Sequence, residues 1–332
     1  MTAADRDALR AELQRAIIGQ DPGLTAEDVV AATGVTLDQA RRLWRALGFP
    51  DAEGSTAFTE ADVTALRALN TAQDVGLDFD TVVGMTRAVG ATMSRLAEWE
   101  IGNLASIFDT QLDPTASSAD RLAASIRLVE RMAPGFDDLL IYAWRRHLAV
   151  AVARAEPLQL DEEGPLATAT VGFADLVNFT ALSNELDEDD IGDLVEVFES
   201  RCHDVVAGRA GRIIKSLGDS VLFVADSPAD GVDIGLDIIA VIGGDSRLPD
   251  VRVGIGTGPV ALRMGDVFGP AVNLASRLIT VARRNRAIID HQTAELLPPA
   301  DFEVRTLPAR PLRGFGDVEP VTVRRTRPHH VP

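Results

Sequence analysis

Lysine is almost missing from this 332-residue chain: of its thirty-two basic residues only Lys215 is a lysine, and arginine supplies every other fixed positive charge. Cysteine is equally scarce. The single Cys202 excludes an intrachain disulfide, fits a reducing cytosol best, and lies on a predicted helix whose acidic neighbours give it no reason to be reactive. Basic residues are outnumbered by 50 acidic ones, for a formal net charge of −18 and a pI near 4.7. That balance argues against broad binding to nucleic acid or an anionic membrane, and an anionic substrate would need metal ions to mask its charge. No run approaches the ~18 uninterrupted apolar residues of a membrane span, and no amino-terminal stretch has a charged region followed by an apolar signal core, so a cytoplasmic location is expected. What remains is a globular composition, 46% hydrophobic and 25% charged, over a length that allows two domains with their own cores.

From residue 2 to about 155, apolar residues recur at three- and four-residue spacing with no alternating strand, which predicts an all-helical domain over 1–156. Breaks are expected near 19–23, 49–55, 76–80, 112–118 and at Pro134-Gly135. Residues 26–33, a turn at Gly34-Val35 and residues 37–47 form a helix-turn-helix pattern, with a capped helix start at Phe58-Thr59. The segment of about 25–67 resembles the amino-terminal part of MerR-type regulators. Arg41, Arg42 and Arg45 on its second helix can meet phosphates, but Glu27, Asp28, Asp38, Asp51, Glu53, Glu60 and Asp62 surround them, so packing or regulation is preferred to DNA binding. The last helix of this half, predicted over 136–155, carries Trp144-Arg-Arg-His147. His147 is the candidate regulatory residue, because imidazole titrates in the physiological range; the plainer alternative is a surface histidine beside two arginines. An acidic, turn-rich linker follows over 157–165.

Lys215 stands in an apolar run four residues before Asp219. Residues 212–217, a Gly218-Asp219 turn and residues 220–224 read as a tight hairpin, with Asp219 at the tip and Lys215 inside the strand on the same side. Residues 167–177 read as a strand that passes straight into a helix, placing Asp175 at the strand end and the amides near Phe179 and Thr180 where phosphate oxygens can sit. Two carboxylates from separate strand ends, with few competing ligands, suit magnesium. Helices are predicted over 189–207 and 229–242, and strands over 251–257 and 260–263. The order strand, helix, hairpin, helix, strand is ferredoxin-like. The fold class is therefore α+β: an all-helical amino-terminal domain followed by a βαββαβ domain over 166–327. In residues 265–277, Pro270 suits the first turn of a helix, Asp266 lies just before it, and Asn273 and Arg277, four apart, share one face. Asn273 stands out as a mediocre helix former between core-like Val272 and Leu274.

Segments 173–180, 215–219 and 265–277, in that order and spacing, resemble the three signature segments of class III nucleotidyl cyclases, and the likeness extends over roughly 165–326. The resemblance implies that Asp175 and Asp219 hold two divalent ions, Mg²⁺ or Mn²⁺, that Lys215 and Asp266 select the purine, and that Asn273 and Arg277 serve the transition state. Arg313, in Leu312-Arg-Gly314, stands where the family usually has a phosphate-binding lysine, and keeps the charge. The family also implies a head-to-tail homodimer whose sites take residues from both chains. The helical half resembles the regulatory domain of soluble mycobacterial cyclases of this class, some of which respond to pH. Adenine offers an amine donor and a ring-nitrogen acceptor on one edge; an ammonium and a carboxylate complement both, so ATP is the expected substrate and cyclic AMP with pyrophosphate the products. Two alternatives stand beside this reading. One is a DNA-binding regulator whose cyclase-like half binds nucleotide without turnover. The other is a diguanylate cyclase, whose motif Gly243-Gly-Asp-Ser246 resembles superficially, although that tetrad follows a helix and reads as a loop.

Overall fold

The computed structural model describes residues 11–12, 14–50, 57–111, 118–155, 166–263 and 265–326. The chain divides into two units, Met1–Arg154 and Ala155–Pro332. The expected linker and the expected breaks at 51–55 and 112–117 lie outside the described residues.

In the first unit, α1 (Ala26–Thr33) and α2 (Leu37–Leu47) each open on a threonine capping box, Thr25 with Asp28 and Thr36 with Gln39, and each closes on a left-handed glycine, Gly34 or Gly48. A third box, Thr59 with Asp62, starts α3 (Glu60–Asp74), and α4 (Phe79–Gln111) and α5 (Ser118–Ala155) are long. Trp44 stacks on Phe58 with ring centroids 4.3 Å apart, and Val29, Ala40, Val63 and Leu66 close a small core around them. Leu43, Ala46, Val82 and Val83 form a second cluster between α2 and α4, where Gly90 lets the backbones touch: a Cβ there would lie 2.5 Å from the Leu47 carbonyl oxygen. The predicted break at Pro134 does not occur, since α5 runs through it. Proline removes one hydrogen bond of the ladder, a local cost of about 3 kcal/mol that a 38-residue helix carries. Arg42 bonds Asp80 at 2.7 Å and lies over the Phe79 ring, and Arg41 and Arg45 also have partners, so the arginines of the helix-turn-helix are engaged within the chain.

The second unit runs β1 (Leu166–Leu176), α6 (Phe179–Leu182), α7 (Glu188–Gly208), β2 (Arg212–Ser216), β3 (Ser220–Ala225), α8 (Pro228–Gly244), β4 (Val251–Arg263), β5 (Asp266–Phe268), α9 (Pro270–Val281), β6 (Arg286–Ile289), α10 (His291–Leu296), β7 (Phe302–Thr306), β8 (Arg310–Leu312), β9 (Gly316–Val318) and β10 (Val321–Arg325). The main sheet has the order β2-β3-β1-β4-β6-β10-β7, with β5 paired to β4 and only β4–β6 parallel. Its β2-β3-β1-β4 part is the expected βαββαβ arrangement. The two strands expected at 251–257 and 260–263 are one strand, β4, paired with β1 along its length from Leu176↔Val251 to Leu166↔Ala261. Pro259 is tolerated because β4 has no second neighbour there: β6 pairs with 252–255 and β5 with 261–263.

Period-two alternation divides the sheet faces. Ala174 and Leu176 of β1 pack with Phe198 and Cys202 of α7 and Val232, Ile234 and Ile238 of α8 in the main core. Ala169 and Val171, five and three residues before Ala174 and so on the other face, pack with Leu222, Val260 and Ala271 on the side of α9. Gly254, Gly256 and Gly258 put a bare stripe on β4 beneath α9; a Cβ at Gly254 would meet the Ala275 carbonyl oxygen at 2.4 Å and one at Gly256 the Ala271 oxygen at 3.1 Å. The helix therefore lies on the strand backbone itself, which fixes where α9 presents its outer residues. No helix among the described residues is long and apolar enough to cross a membrane.

Candidate active site

Asp175 is the penultimate residue of β1, on the α9 side of the sheet, facing Ser220 of β3 and Arg252 of β4 in register. The Leu176 amide donates to the Asp219 carbonyl at 2.9 Å, so the hairpin tip lies against the end of β1 and the two acids become neighbours. Burial pushes the Asp175 carboxyl up, the Arg252 guanidinium opposes this, and the nearby charge of Asp219 raises it further. Both Nε and Nη2 of Arg252 donate to Asp175 Oδ2 at 2.7 Å. Arg252 was not singled out in the sequence, yet it had a signal: it shares its side of the strand with Gly254, Gly256 and Gly258, and a charge beside three glycines has little to pack on.

Lys215 Nζ donates to Asp266 Oδ2 at 2.6 Å, bridging 51 residues of chain. A bulge between Ile213 and Lys215 sets Lys215 opposite Leu222, whose side chain belongs to the α9 side, and β5 carries Asp266 opposite Arg263 on the same sheet. The Val267 amide donates to Asp266 Oδ1 at 2.8 Å, so both carboxylate oxygens are fixed. Burial works against ionisation of Asp266, but Lys215 and the Val267 amide outweigh it and hold the carboxyl below its ordinary range. Asp266 is thus an acceptor and Lys215 a donor.

The other predicted residues stand apart from these two pairs. Asn273 and Arg277 lie on the exposed side of α9, opposite its buried Ala271, Ala275 and Leu278, and form no side-chain bond among the described residues. Arg313 is exposed in the turn between β8 and β9, and His147 is exposed on α5. Phe179 and Thr180 open α6, which is four residues long and preceded by Asn178 at φ 62. So short a helix has little dipole; its start offers the unpaired amides of a first turn. The Gly243-Gly-Asp-Ser246 tetrad closes α8, where Asp245 bonds Arg247 at 2.6 Å and pairs with Arg201 at 3.5 Å, a structural cap. Cys202 is wholly buried and its thiol is pushed up to about 12, chiefly by burial, so it is inert.

Asp175 and Asp219 are hard oxygen donors, and among the described residues no group of three or more His, Cys, Asp or Glu could hold a metal ion. Two adjacent carboxylates fit divalent ions that take their remaining oxygens from water and from a bound phosphate ligand.

The family profile described as adenylate and guanylate cyclase catalytic domain matches residues 162–324, and the one described as adenylate cyclase regulatory domain matches residues 2–148. An adenylate cyclase of Streptomyces coelicolor is 37% identical over 95% of this chain and 89% of its own. One from Streptomyces griseus is 40% identical over 88% of this chain and 72% of its own. A pH-sensitive adenylate cyclase of Mycobacterium tuberculosis is 30% identical over 94% of this chain and 81% of its own. With both of its parts matched and its relatives aligned along nearly the whole length, this chain belongs to the adenylate cyclase family.

Proposed function

We propose that this adenylate cyclase converts ATP to 3′,5′-cyclic AMP and pyrophosphate at sites shared between two copies of the chain. The observation that carries the reading is the Lys215–Asp266 pair, a fixed donor beside a fixed acceptor, on the sheet face that also bears Asp175. Lys215 donates to the adenine ring nitrogen and Asp266 accepts from the exocyclic amine; guanine, with those roles reversed, meets like with like. Asp175 and Asp219 hold two Mg²⁺ or Mn²⁺ ions, which supply Lewis-acid activation of the ribose 3′-hydroxyl and shield the phosphates. When Asp175 turns to that task, the Arg252 guanidinium is freed beside the phosphates. The amides at Phe179 and Thr180 and the charge of Arg313 hold the triphosphate. Asn273 aligns the ribose for in-line attack on the α-phosphorus, and Arg277 offsets charge developing on its oxygens.

The absence of partners for Asn273 and Arg277 within the described chain supports the homodimer: residues that complete a site on a second copy have nothing to bond at home. Residues 166–327 form the catalytic domain in this reading. Residues 1–156 form a regulatory domain in which protonation of His147 changes helix packing. The 157–165 segment links them, and the protein works in the cytoplasm. Product analysis after incubation with ATP or GTP and Mg²⁺ or Mn²⁺ tests the reading. Cyclic AMP from ATP is expected. Binding without turnover would instead make the chain a nucleotide-binding regulator, and a cyclic dinucleotide from GTP a diguanylate cyclase.

A further inference from the structure

The row of charge that begins at Asp175 does not stop at Arg252. Register places Asp175 beside Arg252 on β4, and Arg252 beside Arg286 on β6. Neighbouring strands lie about 4.8 Å apart, so three charged residues stand side by side across three strands. They also share a face. Two residues further along these strands are Phe173, Gly254 and Ile288, each on the α9 side: Gly254 faces the α9 backbone and Ile288 packs with Leu278.

The two arginines differ in what satisfies them. Arg252 donates twice to Asp175, whereas Arg286 is exposed and, among the described residues, its guanidinium makes one bond, from Nη1 to the carbonyl of the preceding Asn285 at 3.0 Å. The nearest acid of the adjoining loop does not serve it: Asp250 accepts from Asn285 at 2.6 Å and pairs with Arg284 at 3.7 Å. Like charges directly opposite on neighbouring strands are unfavourable. An anion bridging the two forks would convert the repulsion into two charge-assisted contacts, and phosphate has the oxygen geometry that guanidinium matches.

We infer that Arg286 binds the β- and γ-phosphates of the substrate, the part that leaves as pyrophosphate, one strand further from the carboxylates than Arg252. The inference rests on the ATP reading above. Asp175 lies at the reacting end of the row and Arg286 at the far end, so the group it meets is the terminal part of the polyphosphate tail.

The test uses the full-length chain and its Arg286→Ala and Arg286→Lys variants. Charge-assisted bonds of this kind correspond to roughly tenfold in binding, so Arg286→Ala is expected to raise KM for ATP about tenfold with kcat little changed. Inhibition by pyrophosphate should weaken by a similar factor, while inhibition by cyclic AMP, which lacks those phosphates, stays the same; Arg286→Lys should recover part of the loss. Magnesium pyrophosphate binding to each protein, followed calorimetrically, gives the comparison without turnover. Equal pyrophosphate affinity in wild type and Arg286→Ala overturns the assignment, as does parallel weakening of cyclic AMP and pyrophosphate. If Arg286→Ala does not fold, Arg286→Gln provides the same comparison. Failure of the wild type to form cyclic AMP would sink the ATP reading, whereas normal turnover with unaltered pyrophosphate binding sinks only the role of Arg286.

Discussion

The two units use their apolar residues in opposite ways. Among the described residues of the helical unit, burial is concentrated before residue 90, around Trp44 and Phe58 and between α2 and α4. Beyond it, α5 shows Ile141, Trp144, Leu148 and Val152 to solvent at three- and four-residue spacing, with Trp144 63% exposed. In the catalytic unit the aliphatic residues of β1, β3, β4 and α8 that face the core are buried, and the sheet also carries a set of charged residues, Asp175, Lys215, Arg252, Asp266 and Arg286. The difference is between a helix that presents an apolar stripe and a sheet that presents charge, and the following measurements press on it in order of expected effect.

Removing the ionic surface should cost activity rather than fold. Asp175→Ala and Lys215→Ala are each expected to reduce cyclic AMP formation on the order of 10³-fold with unchanged circular dichroism, and mixing the two inactive chains should restore part of the activity. No recovery in verified mixed dimers would break the shared site. Arg277→Ala, acting on the transition state alone, should lower kcat about 10²-fold with KM little changed; a change confined to KM would remove that role.

Removing packed residues should cost fold rather than chemistry, and only in the unit concerned. Phe198→Ala in the catalytic core and Trp44→Ala in the helical core should each lose about 3–5 kcal/mol. Hydrogen exchange should show Trp44→Ala loosening α1 to α3 while β1 and β4 keep their protection. Uniform loosening of both units would erase the distinction drawn here.

Two pH measurements are finer. In the metal-free chain the Asp175 carboxyl is held above its ordinary range by burial, so acidification protonates it sooner than an exposed aspartate, and if Asp175 holds a metal ion as proposed, magnesium binding to the chain should weaken on the acid side. Deleting residues 1–150 should shift the pH profile of turnover if the helical unit senses pH; an unaltered profile removes the idea. The smallest effect is on stability. Between the ordinary carboxyl value and the raised one, the folded chain binds the Asp175 proton more tightly than the unfolded chain does, so this group adds stability as pH falls and detracts from it near neutrality. Asp175→Asn should therefore be inactive yet melt no lower than wild type at neutral pH, and a drop of several degrees in Tm would contradict the burial argument.

Much of this was legible in one dimension because local chemistry fixes it. The turn at Gly34-Val35 separated α1 from α2, and the Gly218-Asp219 turn bounded the β2–β3 hairpin. Pro134 misled, and so did the expected gap between strands at 257 and 260, since a proline's effect depends on neighbours: a long helix carries one missing bond, and β4 at Pro259 is bordered on one side only. The strands after residue 263 bear no strong local pattern; β5 and β6 form on β4, β10 on β6 and β7 on β10, while β8 and β9 pair with each other.

By itself the sequence determined the residue types of the site: a lone lysine and its acid, two carboxylates at strand ends, an asparagine and an arginine one helical turn apart. These follow from short-range spacing, which a linear chain displays openly. Only the tertiary structure decided which of them meet. Strand register placed Arg252 on Asp175 and Arg286 beside Arg252, and the folding of β5 back along β4 brought Asp266 within 2.6 Å of Lys215. Such contacts depend on which strands lie side by side, a result of burying the whole sheet that no local window contains.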